Sequence, residues 1–200
     1  MSFLKRLLGI SDKKDKNTLR KDPDESKFMP EKSLPIDEMF MNNFKENGGK
    51  FLYCEDENEL QSTFKQILNE NNWKKENVFA KSSDLLKRFQ IKNSLTRPLD
   101  ADYFLTTTEY LIANTGALLV NSDQIGEKKL NDLPYNFIVI ATTSQLLETI
   151  GEGLQLIKRK KSEIPSNITT MKTFEGKVES DFMSYGSPSK NLYLLLLEDL

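Results

Sequence analysis

The stretch Asn-Phe-Ile-Val-Ile-Ala, residues 136–141, places five apolar residues in a row. A run without polar alternation is typical of a strand that is buried on both faces. Further candidate strands lie at residues 51–54, 77–80, 102–106, 117–120 and 191–200. Because such strands need helices on both faces, the pattern predicts an α/β three-layer sandwich with a mostly parallel sheet.

Apolar residues at helical spacing separate these candidate strands. Four helices are predicted: one from Ile36 to the glycine stop at residues 47–49, one through residues 60–68, a short one capped by Ser82 or Ser83, and one that begins at Ser144 and closes in the cations of residues 158–161. Strand and helix therefore alternate along most of the chain.

The composition is typical of a globular protein, with 200 residues, 38% hydrophobic residues, 29% charged residues and a formal net charge of -2. This length suits one domain. A charge so near zero disfavours nucleic acid as a partner. No apolar run approaches the roughly 18 to 20 residues of a membrane span, and the first residues lack the features of a secretory leader. We therefore expect a cytoplasmic protein without stable membrane insertion.

The chain has no histidine and one cysteine, Cys54. This excludes histidine-based acid–base catalysis and every metal site that needs histidine. One cysteine cannot ligate an iron–sulfur cluster or form an internal disulfide, so we expect no metal bound by this chain alone. The acidic neighbours Glu55 and Asp56 are expected to raise the pKa of the Cys54 thiol, which argues against a reactive thiolate.

The chain divides into two parts at about residue 35. Residues 1–35 form a small amphipathic tip followed by a polar tether, and residues 36–200 form the α/β domain. The tip is either a docking peptide for a partner or a frayed terminus.

A polar stretch follows the candidate strand at residues 102–106. Thr106, Thr107, Thr108 and Glu109 lie at its end, where ligands bind in open α/β sheets. The threonine hydroxyls suit a phosphate or carboxylate, and Glu109 is a candidate base or nucleophile. The other interpretation is that the threonines cap a turn and Glu109 is solvated.

The triplet Asn114-Thr115-Gly116 separates two apolar runs. It predicts a tight turn, in which the glycine allows a positive φ or a close backbone approach. Asn114, Thr115 and Gly116 are also candidate ligand-binding residues.

The segment TTTEYLIANTGALLV, residues 106–120, is followed by LNDLPYNFIVIATTSQLLETIGEGLQLI at residues 130–157. Together they resemble the LUD domain of lactate-utilisation protein C and its relatives. The resemblance extends over roughly residues 36–200. Its matching positions are Thr107, Ile112-Ala113, Thr115-Gly116, Leu118, Leu133-Pro134 and the strand at residues 137–140.

The resemblance implies a fold similar to the sugar-phosphate isomerase and CoA-transferase-like group. It also implies an accessory role in oxidising L-lactate to pyruvate beside partner subunits that carry the iron–sulfur clusters. One departure is that the family's Ser-Gly-Pro-Ser signature is missing, and only Gly186-Ser187-Pro188 is loosely similar to the family's second turn. Residues 186–189 are therefore interpreted as a turn.

Two other functions stay open at this point. The first alternative to the accessory role is a stand-alone CoA-transferase-like enzyme that uses Glu109. The second is a non-catalytic interaction module whose N-terminal tip binds a partner.

The pair Gly151 and Gly153 falls inside a helical pattern, so it predicts a kink or close helix packing rather than a nucleotide-binding loop.

Overall fold

A computed structural model describes residues 34–160, 163–172, 174 and 189–199 of the chain. In chain order its elements are α1 (Ile36–Glu46), β1 (Lys50–Cys54), α2 (Glu57–Glu70), β2 (Val78–Phe79), α3 (Ser83–Arg88), β3 (Tyr103–Thr107), β4 (Tyr110–Ile112), β5 (Ala117–Val120), α4 (Ser122–Ile125), β6 (Asn136–Thr142), β7 (Leu146–Leu147), α5 (Ile150–Lys160), β8 (Thr169–Met171) and β9 (Asn191–Leu197). The first three predicted helices and all six predicted strands are present, with small shifts at their ends.

The centre of the fold is a five-stranded parallel sheet in the order β1-β9-β6-β3-β2. The stretch at residues 136–141 lies in β6, the middle strand, and residues 137–141 are buried. A ladder of side-chain amides fixes the register at the amino ends of the strands. Asn191 Nδ2 donates to Asn136 Oδ1 at 2.8 Å, and Asn136 Nδ2 donates to the carbonyl oxygen of Asp102 at 2.7 Å.

Both faces of this sheet are covered, so the predicted three-layer α/β architecture with a mostly parallel sheet is confirmed. Helices α2 and α3 pack on one face through Leu60, Phe64 and Leu85. The other face packs on α1 and on a second sheet in the order β7-β4-β5-β8. Helix α5 packs on the outer face of this second sheet through Ile157.

The strand at residues 117–120 belongs to the second sheet rather than to the central one. The turn at residues 113–116 reverses the chain between β4 and β5, so the two strands pair antiparallel. A parallel neighbour would need a long crossover, which four residues cannot provide.

The prediction that a helix begins at Ser144 is wrong. Residues 143–145 form one 3-10 turn, Leu146 and Leu147 form strand β7, and α5 begins only at Ile150. Leu146 and Leu147 pair with Leu111 and Ile112 of β4. Their two apolar side chains fit either a helix or a strand, and this pairing decides for the strand.

Of the two glycines at the start of α5, only Gly153 is required by close packing. A Cβ atom added at Gly153 would lie 3.0 Å from Leu119 Cδ2 of the neighbouring sheet, whereas one added at Gly151 would lie 3.8 Å from Thr149 Oγ1, an ordinary contact distance. Of the two predicted explanations, close helix packing is therefore confirmed at Gly153.

Helix α1 is attached to the turn between β4 and β5. Asn43 Nδ2 donates to the carbonyl oxygen of Ala113 at 2.8 Å, and Asn47 Nδ2 donates to that of Thr115 at 2.7 Å. The predicted turn glycine, Gly116, has a φ of 60°. Its Cα lies so near α1 that an added Cβ would be 2.4 Å from the Phe44 nitrogen.

The predicted boundary near residue 35 stays a prediction. Helix α1 begins at Ile36, and the tip and nearly all of the tether, residues 1–33, lie outside the described residues. The interpretation of residues 186–189 as a turn also falls largely outside them. Among the helices that the structure describes, none is long and apolar enough to cross a membrane.

We predict that Gly116→Ala destabilises the fold by at least ~2 kcal/mol, because the new Cβ would meet the α1 backbone and the positive φ strains an alanine. Gly151→Ala is the matched control, since its Cβ would come no nearer than 3.8 Å to Thr149 Oγ1 and alanine favours a helix. Urea unfolding measures both free energies. Equal stability of the two variants would contradict the close approach.

Candidate functional site

Polar side chains gather at the carboxyl edge of the central sheet. Thr108 and Glu109 follow β3, residues 143–145 follow β6, and Glu198 and Asp199 follow β9. Carboxyl ends of parallel strands meet at one edge, which is where open α/β sheets bind ligands. This edge is therefore a candidate functional site.

Gln145 joins the ends of β3 and β6. Its Nε2 atom donates to the carbonyl oxygens of Thr108 at 2.7 Å and Glu109 at 3.2 Å. Its Oε1 atom accepts from the backbone N–H of Thr142 at 2.8 Å. The side chain thus replaces backbone pairing where the two strands separate.

Asp199 holds the end of β9 against β6. One carboxylate oxygen accepts from the Thr143 hydroxyl and from the Ser144 N–H, both at 2.8 Å, and the other accepts from the Ser144 hydroxyl at 2.6 Å. Burial alone would raise the pKa of Asp199, but the hydrogen bonds from Ser144 and Thr143 outweigh it and lower the pKa to about 2. Asp199 is therefore a fixed negative charge at neutral pH.

Glu109 links the β4–β5 hairpin to α4. Its Oε2 atom accepts from Asn121 Nδ2 at 3.0 Å and from Gln124 Nε2 at 3.3 Å. Asn121 is fully buried and caps α4, since its Oδ1 atom accepts from the Asp123 N–H at 2.8 Å. The half-buried carboxylate of Glu109 thus has a structural task whether or not it also does chemistry.

The three threonines differ in how far their hydroxyls are engaged. Thr108 is buried and donates to the carbonyl oxygen of Leu119 at 2.8 Å, and Thr106 is buried and donates to that of Thr107 at 3.3 Å. The half-buried Thr107 makes no side-chain hydrogen bond to any residue that the structure describes. Of the three, Thr107 has the hydroxyl available to a ligand.

The structure does not bring Asn114, Thr115 and Gly116 together with Thr107 and Glu109. Tyr110 pairs with Leu119 at one end of the hairpin and Ile112 with Ala117 at the other, so about 10 Å separates the two groups along β4. The triplet lies against α1, on the side of the amino ends of the central strands. A single small ligand cannot contact both groups, and their roles in binding stay a prediction.

Lys190 is a buried residue that sequence reasoning missed. Its Nζ atom donates to the carbonyl oxygens of Leu133 and Pro134, both at 3.0 Å, and lies 5.4 Å from the centre of the Phe137 ring. Burial lowers the pKa of Lys190. These contacts give the Leu133-Pro134 motif a physical role, because its two carbonyl groups bind the lysine that precedes β9. The signal in the sequence was a lysine beside an otherwise apolar strand.

A cavity of about 550 Å³ opens at the carboxyl end of β2. Its walls come from Phe79, from Lys81 and from the segment at residues 125–132. Sequence reasoning missed this cavity because its two walls are far apart in the chain. The available signals were Lys81 directly after a strand and Gly126, which has a φ of 66°.

Cys54 is fully buried, and burial is the main reason why its pKa rises to about 11. The Thr63 hydrogen bond opposes this rise, and the charges of Glu59, Asp56 and Glu57 add to it. The predicted direction is therefore confirmed, although burial rather than the acidic neighbours is the larger cause. Among the described residues, no three His, Cys, Asp or Glu side chains form a group that could hold a metal ion.

The fold and its polar edge define a class of α/β protein in which a hairpin sheet covers one face of a parallel sheet. The model of the LUD domain matches residues 38–196, so the chain belongs to the LUD domain family. The resemblance predicted from the sequence is confirmed at this level. No curated protein matches the chain.

A solved structure similar to this chain is the crystal structure of a DUF162 family protein from Deinococcus radiodurans. The match has a TM-score of 0.59 and 15% sequence identity, and it covers 81% of this chain and 96% of that chain. At this identity the similarity shows the fold alone.

We predict that Glu109→Ala lowers the free energy of unfolding by ~1–3 kcal/mol, because the buried Asn121 amide loses an acceptor. Glu109→Gln keeps an acceptor oxygen and is the matched control, with an expected loss below ~1 kcal/mol. Chemical denaturation compares the two variants. If the alanine variant is as stable as the glutamine variant, the link between the hairpin and α4 contributes nothing.

We also predict that stability declines from pH 9.0 to about 11 because of Cys54. The folded pKa lies above the ordinary value of 9.0, so the stabilisation is complete below pH 9.0 and is lost as the pH rises through 11. The loss is at most ~3 kcal/mol. Cys54→Ala should flatten this part of the stability curve, and parallel curves for both proteins would contradict the prediction.

Proposed function

We propose that this chain is a cytoplasmic accessory subunit of a lactate-utilisation system. In such a system L-lactate loses two electrons and two protons to become pyruvate, and iron–sulfur clusters in partner chains carry the electrons. Membership of the LUD domain family over residues 38–196 is the observation that carries the proposal. The resemblance to lactate-utilisation protein C supplies the pathway.

The cysteine content supports a division of labour between subunits. Iron–sulfur clusters are held by several cysteine thiolates, and this chain has only Cys54. That one thiol is fully buried, with a pKa of about 11, so it stays protonated at neutral pH. Cluster-borne electron transfer therefore belongs to partners with more cysteines.

The charges of the carboxyl edge support an accessory role rather than direct oxidation of the acid at this place. Glu109, Glu198 and Asp199 lie along the edge, and Asp199 is held in its ionised form. These charges oppose the approach of another carboxylate such as lactate. The available hydroxyl of Thr107 suits a neutral polar group of a ligand or of a partner chain.

The test is purification of the tagged full chain from lactate-grown cells, followed by analysis of the eluate for iron and acid-labile sulfide. We expect a partner rich in cysteine to copurify with stoichiometric iron and sulfide. The control is the same tagged chain from cells grown without lactate. A chain that purifies without iron, together with unchanged growth on lactate after its deletion, would contradict the proposal.

A variant that lacks residues 1–35 extends this experiment to the N-terminal tip. If the tip is the docking peptide, the truncated chain loses the partner while its unfolding temperature stays the same. If the α/β domain makes the contact, the partner stays bound.

The enzyme alternative rests on the position of Glu109 at the end of β3, where two side-chain amides hold its carboxylate. In a CoA-transferase-like step this carboxylate would attack the thioester carbonyl, form an acyl–glutamyl anhydride and release the CoA thiolate. Mass spectrometry after incubation with acyl-CoA distinguishes the two functions. If the chain is an accessory subunit, we expect no adduct. An adduct that Glu109→Gln abolishes would instead support the enzyme function and contradict the accessory role.

A further inference from the structure

The cavity at the carboxyl end of β2 has a fixed aromatic floor. Phe79 is half-buried, and the centre of its ring lies 5.5 Å from the centre of the Phe104 ring on the neighbouring strand. Ile125, which is buried at the end of α4, adds a second apolar surface. A flat apolar group can therefore bind here without first ordering the floor.

Two lysines, Lys81 and Lys128, line the same cavity. Lys81 Nζ donates to the carbonyl oxygen of Ser122, which places its ammonium group at the start of α4. Lys128 lies on the loop opposite and is exposed. Within the described part of the chain neither lysine forms an ion pair. Their positive charges are available to an anionic group.

The loop that carries Lys128 is held in place by hydrogen bonds from Ser166 and Asn167. Asn167 Nδ2 donates to the carbonyl oxygens of Gly126 and Lys128, both at 3.0 Å. The Ser166 hydroxyl donates to Glu127 Oε1 at 2.7 Å. These hydrogen bonds fix the loop that forms one wall of the cavity, so this wall is ordered without a ligand.

Two carboxylates, those of Glu127 and Asp132, also line the cavity. Each has one oxygen engaged locally, since Glu127 accepts from Ser166 and Asp132 Oδ2 accepts from the Lys129 N–H at 3.3 Å. Carboxylate oxygens are acceptors that suit ligand hydroxyl groups. A purely anionic ligand would leave these two groups unused.

The cavity is larger than a molecule such as lactate would fill. Its 550 Å³ would hold roughly eighteen water molecules at ~30 Å³ each, so a molecule as small as lactate would leave most of it empty. The Gly126 backbone lies beside the Lys81 ammonium group, because a Cβ added at Gly126 would lie 3.9 Å from Lys81 Nζ. The volume falls within the range of sites for drug-sized ligands and cofactors.

We propose that this cavity binds a nucleoside phosphate. The base stacks on Phe79, the phosphate binds Lys81 and Lys128, and the ribose hydroxyls donate to Glu127 and Asp132. One ligand class thus uses the aromatic floor, both lysines and both carboxylates. Binding at this cavity goes beyond the accessory role in lactate utilisation and does not depend on it.

Calorimetric titration of the purified full chain with AMP tests this inference. We expect Lys81→Gln and Lys128→Gln each to weaken AMP binding by about tenfold, because each removes a charge-assisted contact to the phosphate. Lys129→Gln is the matched control, since Lys129 neighbours Lys128 but lies outside the cavity lining. Its affinity for AMP should equal that of the unaltered chain.

Phe79→Leu tests the base while it keeps an apolar floor and the fold. We expect weaker AMP binding in this variant, and weaker binding of ribose 5-phosphate and inorganic phosphate than of AMP to the unaltered chain. Equal affinity for AMP and inorganic phosphate would overturn the inference, because the base would then contribute nothing. No AMP binding, or binding that both lysine variants leave unchanged, would also overturn it. None of these results depends on copurification with an iron–sulfur partner.

Discussion

The parallel pairing of β6 with β3 on one side and β9 on the other is the interaction on which the rest of the structure depends. Five residue pairs join β6 to β3, and seven join it to β9. The side chains of residues 137–141 are buried on alternating faces and enter two separate apolar cores. If this pairing were lost, both cores would open to water and the polar groups at both ends of the strands would lose their partners.

Each end of the central strands is fixed by a different set of side chains. At the amino ends, Asn136 and Asn191 bond to each other, and Lys50 Nζ donates to Asn191 Oδ1 at 2.7 Å. At the carboxyl ends, the side chains of Gln145 and Asp199 form hydrogen bonds with backbone groups just beyond the strands. Because the backbone at both ends of the strands is hydrogen-bonded, the loops that leave the strands have defined positions. The turn around Glu109, helix α4 and the cavity beside Lys81 are built on that fixed edge.

Short-range pattern predicted most of the fold, and tertiary pairing decided the rest. The run at residues 136–141 and the helix that begins at Ile36 were predicted because period and stop signals lie within a few residues. The helix expected from Ser144 failed because Leu146 and Leu147 fit two structures, and only the position of β4 selects one. The family was predicted from motifs. The role of Lys190 was not visible from those motifs, because only the fold brings its ammonium group to the carbonyl oxygens of Leu133 and Pro134.

The candidate site was harder to predict than the fold, because neighbours in sequence are not neighbours in space. Thr107 and Gly116 are close in the chain, yet they lie at opposite ends of a hairpin. Lys81 and Gly126 are distant in the chain, yet they line one cavity. The carboxyl edge follows from the sheet rule, whereas the cavity depends on where α4 and its loop come to rest.

Native-state hydrogen exchange of the backbone amides tests the role of β6 most directly. The account predicts that the amides of residues 137–141 and 192–196 exchange most slowly of all, and only through global unfolding. Their exchange free energies should then equal the free energy of unfolding measured with denaturant. Exchange at these positions as fast as in the turn at residues 113–116 would contradict the account, because the central strands would not be the element that holds the molecule together.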